Sequence, residues 1–232
     1  MHLRDRRLDP GWSDTRYAVR APLARWLRAK AHEASAHAGC RVLDVGCGDR
    51  RYEPLFVAAG AIYVGCDAEW NPDADVHGYA DALPVDDASF DIVICTQVLE
   101  HLPDAAAAVR ELRRVIRKGG IALASTHGTA VYHPNPVDLS RWTYAGLERL
   151  FDENGDWSAV LVRPAQGTAA TLAMLNGQFA QLLCKRLRVQ LMARPVVAAL
   201  NWSGAALDRA IPILREPVPG SLNATFHIEA IA

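Results

Sequence analysis

Apolar and polar positions along this chain fall into alternating blocks of strand and helix period. Val42, Leu43 and Val45 make a short aliphatic run, and residues 61–66 (AIYVGC) and 90–96 (FDIVICT) make two more of strand length. Residues 75–79, 121–126 and 157–162 complete the series before the C-terminal third. Helix-compatible segments lie between them, at 50–59 ended by Gly60, at 105–116, and at 144–153. In the second of these, Val109, Leu112, Val115 and Ile116 share one face, and Gly119-Gly120 is read as its stop. Thr143 reads as the cap of the third, with Asn154-Gly155 closing it. This alternation predicts a doubly wound α/β sheet with right-handed crossovers. Residues 222–231, with Phe226, Ile228 and Ala230 on one face, read as the last strand.

Two segments stand outside that rhythm. Residues 1–39 form an N-terminal helical arm, in which Leu23, Trp26, Leu27 and Ala31 predict a helix over 22–35 with Pro22 at its start. The arm either docks on the core or folds over a ligand, placing Arg20 near a carboxylate. Residues 165–215 are too long for a plain loop and carry a helical pattern. Leu172, Leu175, Phe179, Leu182, Leu183 and Leu187 form one apolar stripe. Four readings of this inserted helical pair stay open: a cap on an acceptor pocket, a homodimer face, a membrane-surface contact through 168–214, or a plain layer over the sheet. The uncharged run 168–184 is shorter than a bilayer span.

Composition narrows the classes. Half of the 232 residues are hydrophobic and 22% are charged, as in a globular chain. A net charge of −1 gives no electrostatic case for a nucleic-acid partner. The opening MHLRDRRLDPGW places charges where a signal peptide needs an apolar centre, so a cytoplasmic location is expected. Cys40, Cys47, Cys66, Cys95 and Cys184 form no CxxC pair and read as reduced thiols, with no metal site.

The chemistry concentrates at residues 41–49, RVLDVGCGD, where a strand meets a tight turn containing Gly46, Cys47 and Gly48. Dinucleotide sites use G-x-G-x-x-G to bring a pyrophosphate to a helix N-terminus. Here Arg51 stands at the third glycine position, and Asp44 leads an acid into the loop. That pairing disfavours phosphate and suits a cofactor with an amino group, S-adenosylmethionine. A strand turn with glycines for geometry alone is the plainer reading. Asp67, 19 residues after Gly48 at the next strand's end, has the spacing of a ribose-binding acid. Asp81 and Gln97 follow at carboxyl ends of later strands, where open parallel sheets bind ligands.

These motifs resemble those of class I S-adenosylmethionine-dependent methyltransferases, in the methyltransferase type 11 group. The similarity lies in VLDVGCG (42–48), VGCDAEW (64–70), ADALPVDDASFDIVICTQVLEHLPD (80–104), ELRRVIRKGG (111–120) and RWTYAGLERLF (141–151). It implies a Rossmann-like, seven-stranded sheet, mostly parallel with an antiparallel last strand, over 40–232. It also implies that Asp44 and the 46–48 loop hold the methionine and ribose parts of the cofactor. Asp67 with Ala68 would hold the ribose hydroxyls, Asp81 and the Ala82 amide the adenine, and Gln97 would lie beside the methionine end. His101 would be a structural residue at a helix entrance.

The segment 127–143, HGTAVYHPNPVDLSRWT, resembles a subgroup associated with glycan or cell-envelope biosynthesis. It departs from that pattern at Thr126, where proline is usual, and at Leu139-Ser140. The resulting expectation is an enzyme that moves a methyl group to a small-molecule, glycan or lipid-linked acceptor. His127 and His133 are the candidate bases if the acceptor is a hydroxyl. A nicotinamide-dependent oxidoreductase and a non-catalytic cofactor-binding protein are the alternatives.

Overall fold

The computed structural model of the chain describes residues 7–36, 39–134 and 136–232. Residues 1–6, which carry part of the charged N-terminal pattern, and Asn135 of the HPNP motif lie outside that set. The elements in order are α1 (Tyr17–Ala34), β1 (Arg41–Val45), α2 (Glu53–Val57), β2 (Ile62–Asp67), β3 (Val76–His77), β4 (Phe90–Thr96) and α3 (Ala105–Val115). They continue with β5 (Ile116–His127), α4 (Tyr144–Asn154), β6 (Ala159–Pro164), α5 (Thr168–Arg186), α6 (Ala193–Ala210) and β7 (Thr225–Ile231). Short 3₁₀ turns occupy Leu99–His101, Gln190–Met192 and Pro212–Arg215.

Seven strands form one sheet in the order β3-β2-β1-β4-β5-β7-β6. β1 pairs in parallel with β2 and β4, β2 with β3, and β4 with β5. β7 runs antiparallel. Gly119 N donates to Ala232 O and Gly128 N to Ala224 O on its β5 side, while Ser158 N donates to Ile231 O and Ala165 N to Thr225 O on its β6 side. The strand order reverses between β1 and β4, and ligands in such sheets bind at the carboxyl ends flanking that reversal.

The chain divides into two compact units. The larger contains Trp26–His127, Tyr132–Arg163 and His227–Ala232. Its core includes Leu43, Phe56, Phe90, Ile94, Leu112 and Phe151, all fully buried. Asp104 caps α3 by accepting from Ala107 N at 2.9 Å, and Thr143 caps α4 by accepting from Gly146 N at 3.0 Å.

Gly119-Gly120 does not stop α3, as the sequence suggests. The helix ends at Val115 and β5 begins at the next residue. Pairing steps from Phe90↔Ile116 to Ile92↔Ile121, so residues 117–120 form a bulge opposite Asp91. Gly120 is required there, since a Cβ would lie 2.7 Å from Asp91 O.

The smaller unit contains the described part of Met1–Arg25, with Gly128–Val131 and Pro164–Phe226. α5 and α6 pack together through small residues. A Cβ on Gly204 would come within 2.7 Å of Ala173 Cβ and 2.9 Å of the Ala170 Cα. Asp208 of α6 caps the start of α5, accepting from Gly167 N at 2.8 Å and Ala169 N at 3.0 Å.

This small-residue seam turns the apolar stripe of α5 outward. Leu172, Phe179, Leu182, Leu183 and Leu187 are exposed, and Leu175 alone of the six packs against the cluster of Ala18, Val19, Ala170, Met174 and Ala224. The stripe therefore does not serve as a buried layer. Helix α1 begins at Tyr17, not at 22, and carries Pro22 inside it. Proline removes the donor that would meet the Ala18 carbonyl. With its amide oriented to suit its neighbours, Gln166 donates to that carbonyl at 3.3 Å.

Candidate functional site

The carboxyl ends of β1, β2, β4 and β5, all in the larger unit, carry the candidate residues. β1 leaves the sheet through the glycine loop. Gly46 has φ +74° and Gly48 φ +55°, both in the left-handed region that favours glycine. A Cβ on Gly46 would approach Val98 Cγ2 to 2.5 Å, so the turn can close only over glycine. A Cβ on Gly48 would meet nothing within 4 Å, which leaves its Cα face open to a ligand. Gly46 N and Cys47 N donate to Cys66 O at 2.8 and 3.2 Å, tying the loop to β2.

Asp44 lies beneath this loop and is 1% exposed. Tyr63 OH donates to its Oδ2 at 2.5 Å. Burial pushes the Asp44 carboxyl up to about 7, more than the Tyr63 hydrogen bond draws it down. The neutral acid and the carboxylate are thus close in free energy near neutral pH.

Asp67 ends β2 and points at the loop. Gly48 N donates to its Oδ2 at 2.8 Å and Ala68 N to its Oδ1 at 2.8 Å. Asn71 Nδ2 donates both to Asp67 Oδ2 and to Gly48 O, each at 2.8 Å. Asn71 is buried and clamps the two segments together. The sequence does not single it out, because an Asn in a turn-rich WNPD stretch has no periodicity to mark it. Arg50 fixes the same corner through Glu53 and Asp75.

Asp81 and Ala82 lie on an exposed loop held down by Leu83, whose N–H donates to Glu111 Oε2 at 2.8 Å. The Ala82 amide does not point outward toward an adenine ring, as the resemblance implies. It donates to Tyr79 O at 3.0 Å and closes a turn. Gln97, after β4, takes a left-handed φ of +57°, uncommon outside glycine. Its N–H donates to Ser125 O at 2.8 Å and its Nε2 to Ser125 Oγ at 3.0 Å. Arg20, an expected partner for a ligand carboxylate, is instead paired with Asp14 at 2.6 Å.

His127 and His133 come together, with ring centroids 5.3 Å apart. His127 ends β5, and its Nδ1 lies 2.5 Å from Glu100 Oε1. Glu100 is fully buried in the turn after β4, and Thr126 Oγ1 donates to its other oxygen at 2.8 Å. A carboxylate that accepts from Nδ1 leaves Nε2 as the basic nitrogen of the ring.

His133 stands against Asp138, with Nδ1 at 3.3 Å and its backbone N–H donating at 3.1 Å. Asp138 also takes both arms of Arg141, whose guanidinium holds that carboxyl down at about 2. His101 Nδ1 sits 2.7 Å from Val137 O, in line with a structural role. Glu100 was legible only as part of VLEHL. Its use as the partner of His127 needed the β4–β5 pairing to be seen.

Among the described residues no cluster of His, Cys, Asp or Glu could hold a metal ion. The loop fits a cofactor that brings an ammonium and ribose hydroxyls. It offers two carboxylates and an open glycine face, and it carries Arg51 at the position where a pyrophosphate site has its third glycine.

Residues 43–124 match the family described as Methyltransferase domain. The match takes in β1 to most of β5, with the glycine loop, Asp67 and Gln97 inside it. The chain is 32% identical over 162 residues to a protein of Mycolicibacterium smegmatis described as a probable S-adenosylmethionine-dependent methyltransferase, covering 63% of this chain and 62% of that one. It is also 32% identical over 146 residues to the 27-O-demethylrifamycin SV methyltransferase of Amycolatopsis mediterranei, covering 55% and 52% of the two chains. The chain thus spans less than two thirds of either relative. A likeness of fold alone, with a TM-score of 0.56 at 14% identity, links it to a SAM-dependent methyltransferase of Archaeoglobus fulgidus, over 90% of this chain and 94% of that one.

Proposed function

We propose that this protein transfers the methyl group of S-adenosylmethionine to a hydroxyl of a small-molecule, glycan or lipid-linked acceptor, with His127 as the general base. The observation that carries the reading is the Glu100–His127 pair at the end of β5. When bound, the cofactor supplies a methyl group already activated on a sulfonium.

The chain's own residues then have three tasks. The 46–48 loop, Asp44 and Asp67 bind the amino acid and ribose portions, and the Asp81 side chain faces the adenine. Gln97, locked to Ser125, shapes the methionine end. His127 Nε2 takes the acceptor's proton as its oxygen attacks, and Glu100 stabilises the imidazolium that results. Positioning of the acceptor supplies the rest of the acceleration. A relative named 27-O-demethylrifamycin SV methyltransferase supports a hydroxyl acceptor. Arg51 and the acidic loop argue against the nicotinamide alternative.

The test is transfer from methyl-labelled S-adenosylmethionine to a panel of hydroxylated small molecules, glycans and polyprenyl-linked sugars. Label is expected in a methoxy group, with turnover lowered by about 10²–10⁴ in His127→Ala and cofactor affinity unchanged. Turnover in that variant equal to the unmodified chain would sink the base assignment. Label on nitrogen or carbon would sink the hydroxyl assignment.

A further inference from the structure

The α5–α6 hairpin ends in a surface that the methyl-transfer reading does not use. Its small-residue seam keeps the large apolar side chains outside. Phe179 is 65% exposed, Leu187 62%, Leu191 87% and Met192 61%. Val189 and Val196 are also exposed beside them. Scattered exposed apolar residues are ordinary, but a contiguous group at one end of a hairpin marks an interaction site.

The tip is also well defined. Arg188 takes a left-handed φ of +60°, and Val189 N donates to Cys184 O at 2.9 Å, closing the end of α5. Leu191 and Met192 then sit on the 3₁₀ turn Gln190–Met192 that leads into α6.

Charge identifies the partner. Lys185, Arg186, Arg188 and Arg194 lie within or beside the apolar tip in sequence and are all exposed. No ion pair or side-chain hydrogen bond involves them among the described residues. No Asp or Glu occurs between Asp156 and Asp208, in a chain whose net charge is −1. Residues 185–194 therefore carry four cations with no acid among them.

A dimer face or a neutral protein partner has no need of four unpaired cations at an apolar tip. An anionic bilayer meets both features, since acyl chains take the apolar side chains and the headgroups attract the cations. Among the described residues no helix is long and apolar enough to cross a membrane, so the tip would insert at the surface only. We propose that the 185–196 tip docks this protein reversibly on an anionic lipid surface. The inference stands apart from the choice of acceptor and of catalytic base.

The test is co-flotation of the full chain with vesicles of phosphatidylcholine alone or mixed with phosphatidylglycerol. Flotation with the anionic vesicles at low salt is expected to exceed that with neutral vesicles by about tenfold or more. It should fall by a similar factor in high salt, because exposed charges are screened. The double variants Leu187→Asp/Leu191→Asp and Lys185→Glu/Arg186→Glu alter only exposed side chains, and each should lose flotation while keeping S-adenosylhomocysteine binding. Absence of flotation at low salt, equal flotation on neutral vesicles, or undiminished flotation of both variants would overturn the proposal. A dimer seen by light scattering and dissolved by Leu187→Asp/Leu191→Asp would overturn it too, by assigning the tip to a second copy. The vesicle and salt comparisons use the unmodified chain, so they decide the matter even if a variant fails to fold.

Discussion

Glu100 and His127 stand 27 positions apart in sequence, yet their Oε1 and Nδ1 atoms lie 2.5 Å apart. Parallel pairing of β4 with β5 makes the contact, bringing the turn after one strand against the last residue of the other. Burial opposes the charge on Glu100, but the hydrogen bond and charge of His127, with the Thr126 hydroxyl, hold its carboxyl below the ordinary 4.5. The departure from proline at Thr126 gains a meaning here, because proline has no hydroxyl to give this carboxylate.

Glu100→Gln should keep the volume of the side chain and remove its charge. The imidazolium then loses its counter-charge, and turnover on any hydroxyl acceptor should fall by about 10²-fold or more, with S-adenosylhomocysteine affinity unchanged. Stability supplies a second readout. A carboxyl held low in the folded state contributes stability above its unfolded pKa and loses it as pH falls through the folded value. Acid unfolding curves should therefore show the unmodified chain losing its advantage over Glu100→Gln as pH drops below about 4.5. Parallel curves would remove Glu100 as an ionised group.

Asp44 titrates in the opposite sense. Its folded pKa of about 7 lies above the ordinary 3.8. Its contribution to the stability of the ligand-free chain is therefore complete below about 3.8 and lost as pH rises through about 7. A cofactor ammonium favours the ionised form, so binding should release a proton. Calorimetry should show S-adenosylhomocysteine affinity rising between about pH 6 and pH 8, by up to tenfold per unit below the pKa. Asp44→Asn should weaken binding and flatten that profile. A flat profile in the unmodified chain would place Asp44 away from the amino group.

Gly46→Ala combines a left-handed φ with a Cβ 2.5 Å from Val98 Cγ2. We expect a loss of about 1–3 kcal/mol in folding stability, read by denaturant unfolding. Adding Val98→Ala should recover the steric part and leave the backbone part. Full recovery in the double variant would mean that the φ of Gly46 carries no strain.

Much of the fold could be read from apolar runs. The β4 run at 90–96 is legible because a largely apolar stretch, five of its seven positions buried, is bounded by turns on each side. α3 follows from its single apolar face, although its end at Val115 does not. Gly119-Gly120 looked like a helix stop, but the glycines serve a bulge whose cause, the nearby Asp91 carbonyl, is distant in sequence. The direction of the α5 stripe stays open in the sequence for a related reason. Spacing shows that leucines share a face but not which face packs, and Gly204 and Ala173 decide that through a close approach between helices. At the site, the glycine loop and its acids are visible as a motif. Asn71 and Glu100 are not, because Asn71 lies in a turn with no periodicity and the partners of Glu100 come from β5.

The binding of S-adenosylhomocysteine itself, by isothermal titration to the unmodified chain and to Asp67→Ala, bears most directly on the cofactor site. Asp67 accepts the Gly48 and Asn71 N–H groups and sits where ribose hydroxyls would be met. One-to-one binding is expected, weakened by about 1.5–3 kcal/mol in the variant, with no heat from NAD. Saturable binding of NAD in place of S-adenosylhomocysteine, or an unchanged dissociation constant in a folded Asp67→Ala, would contradict the site described here.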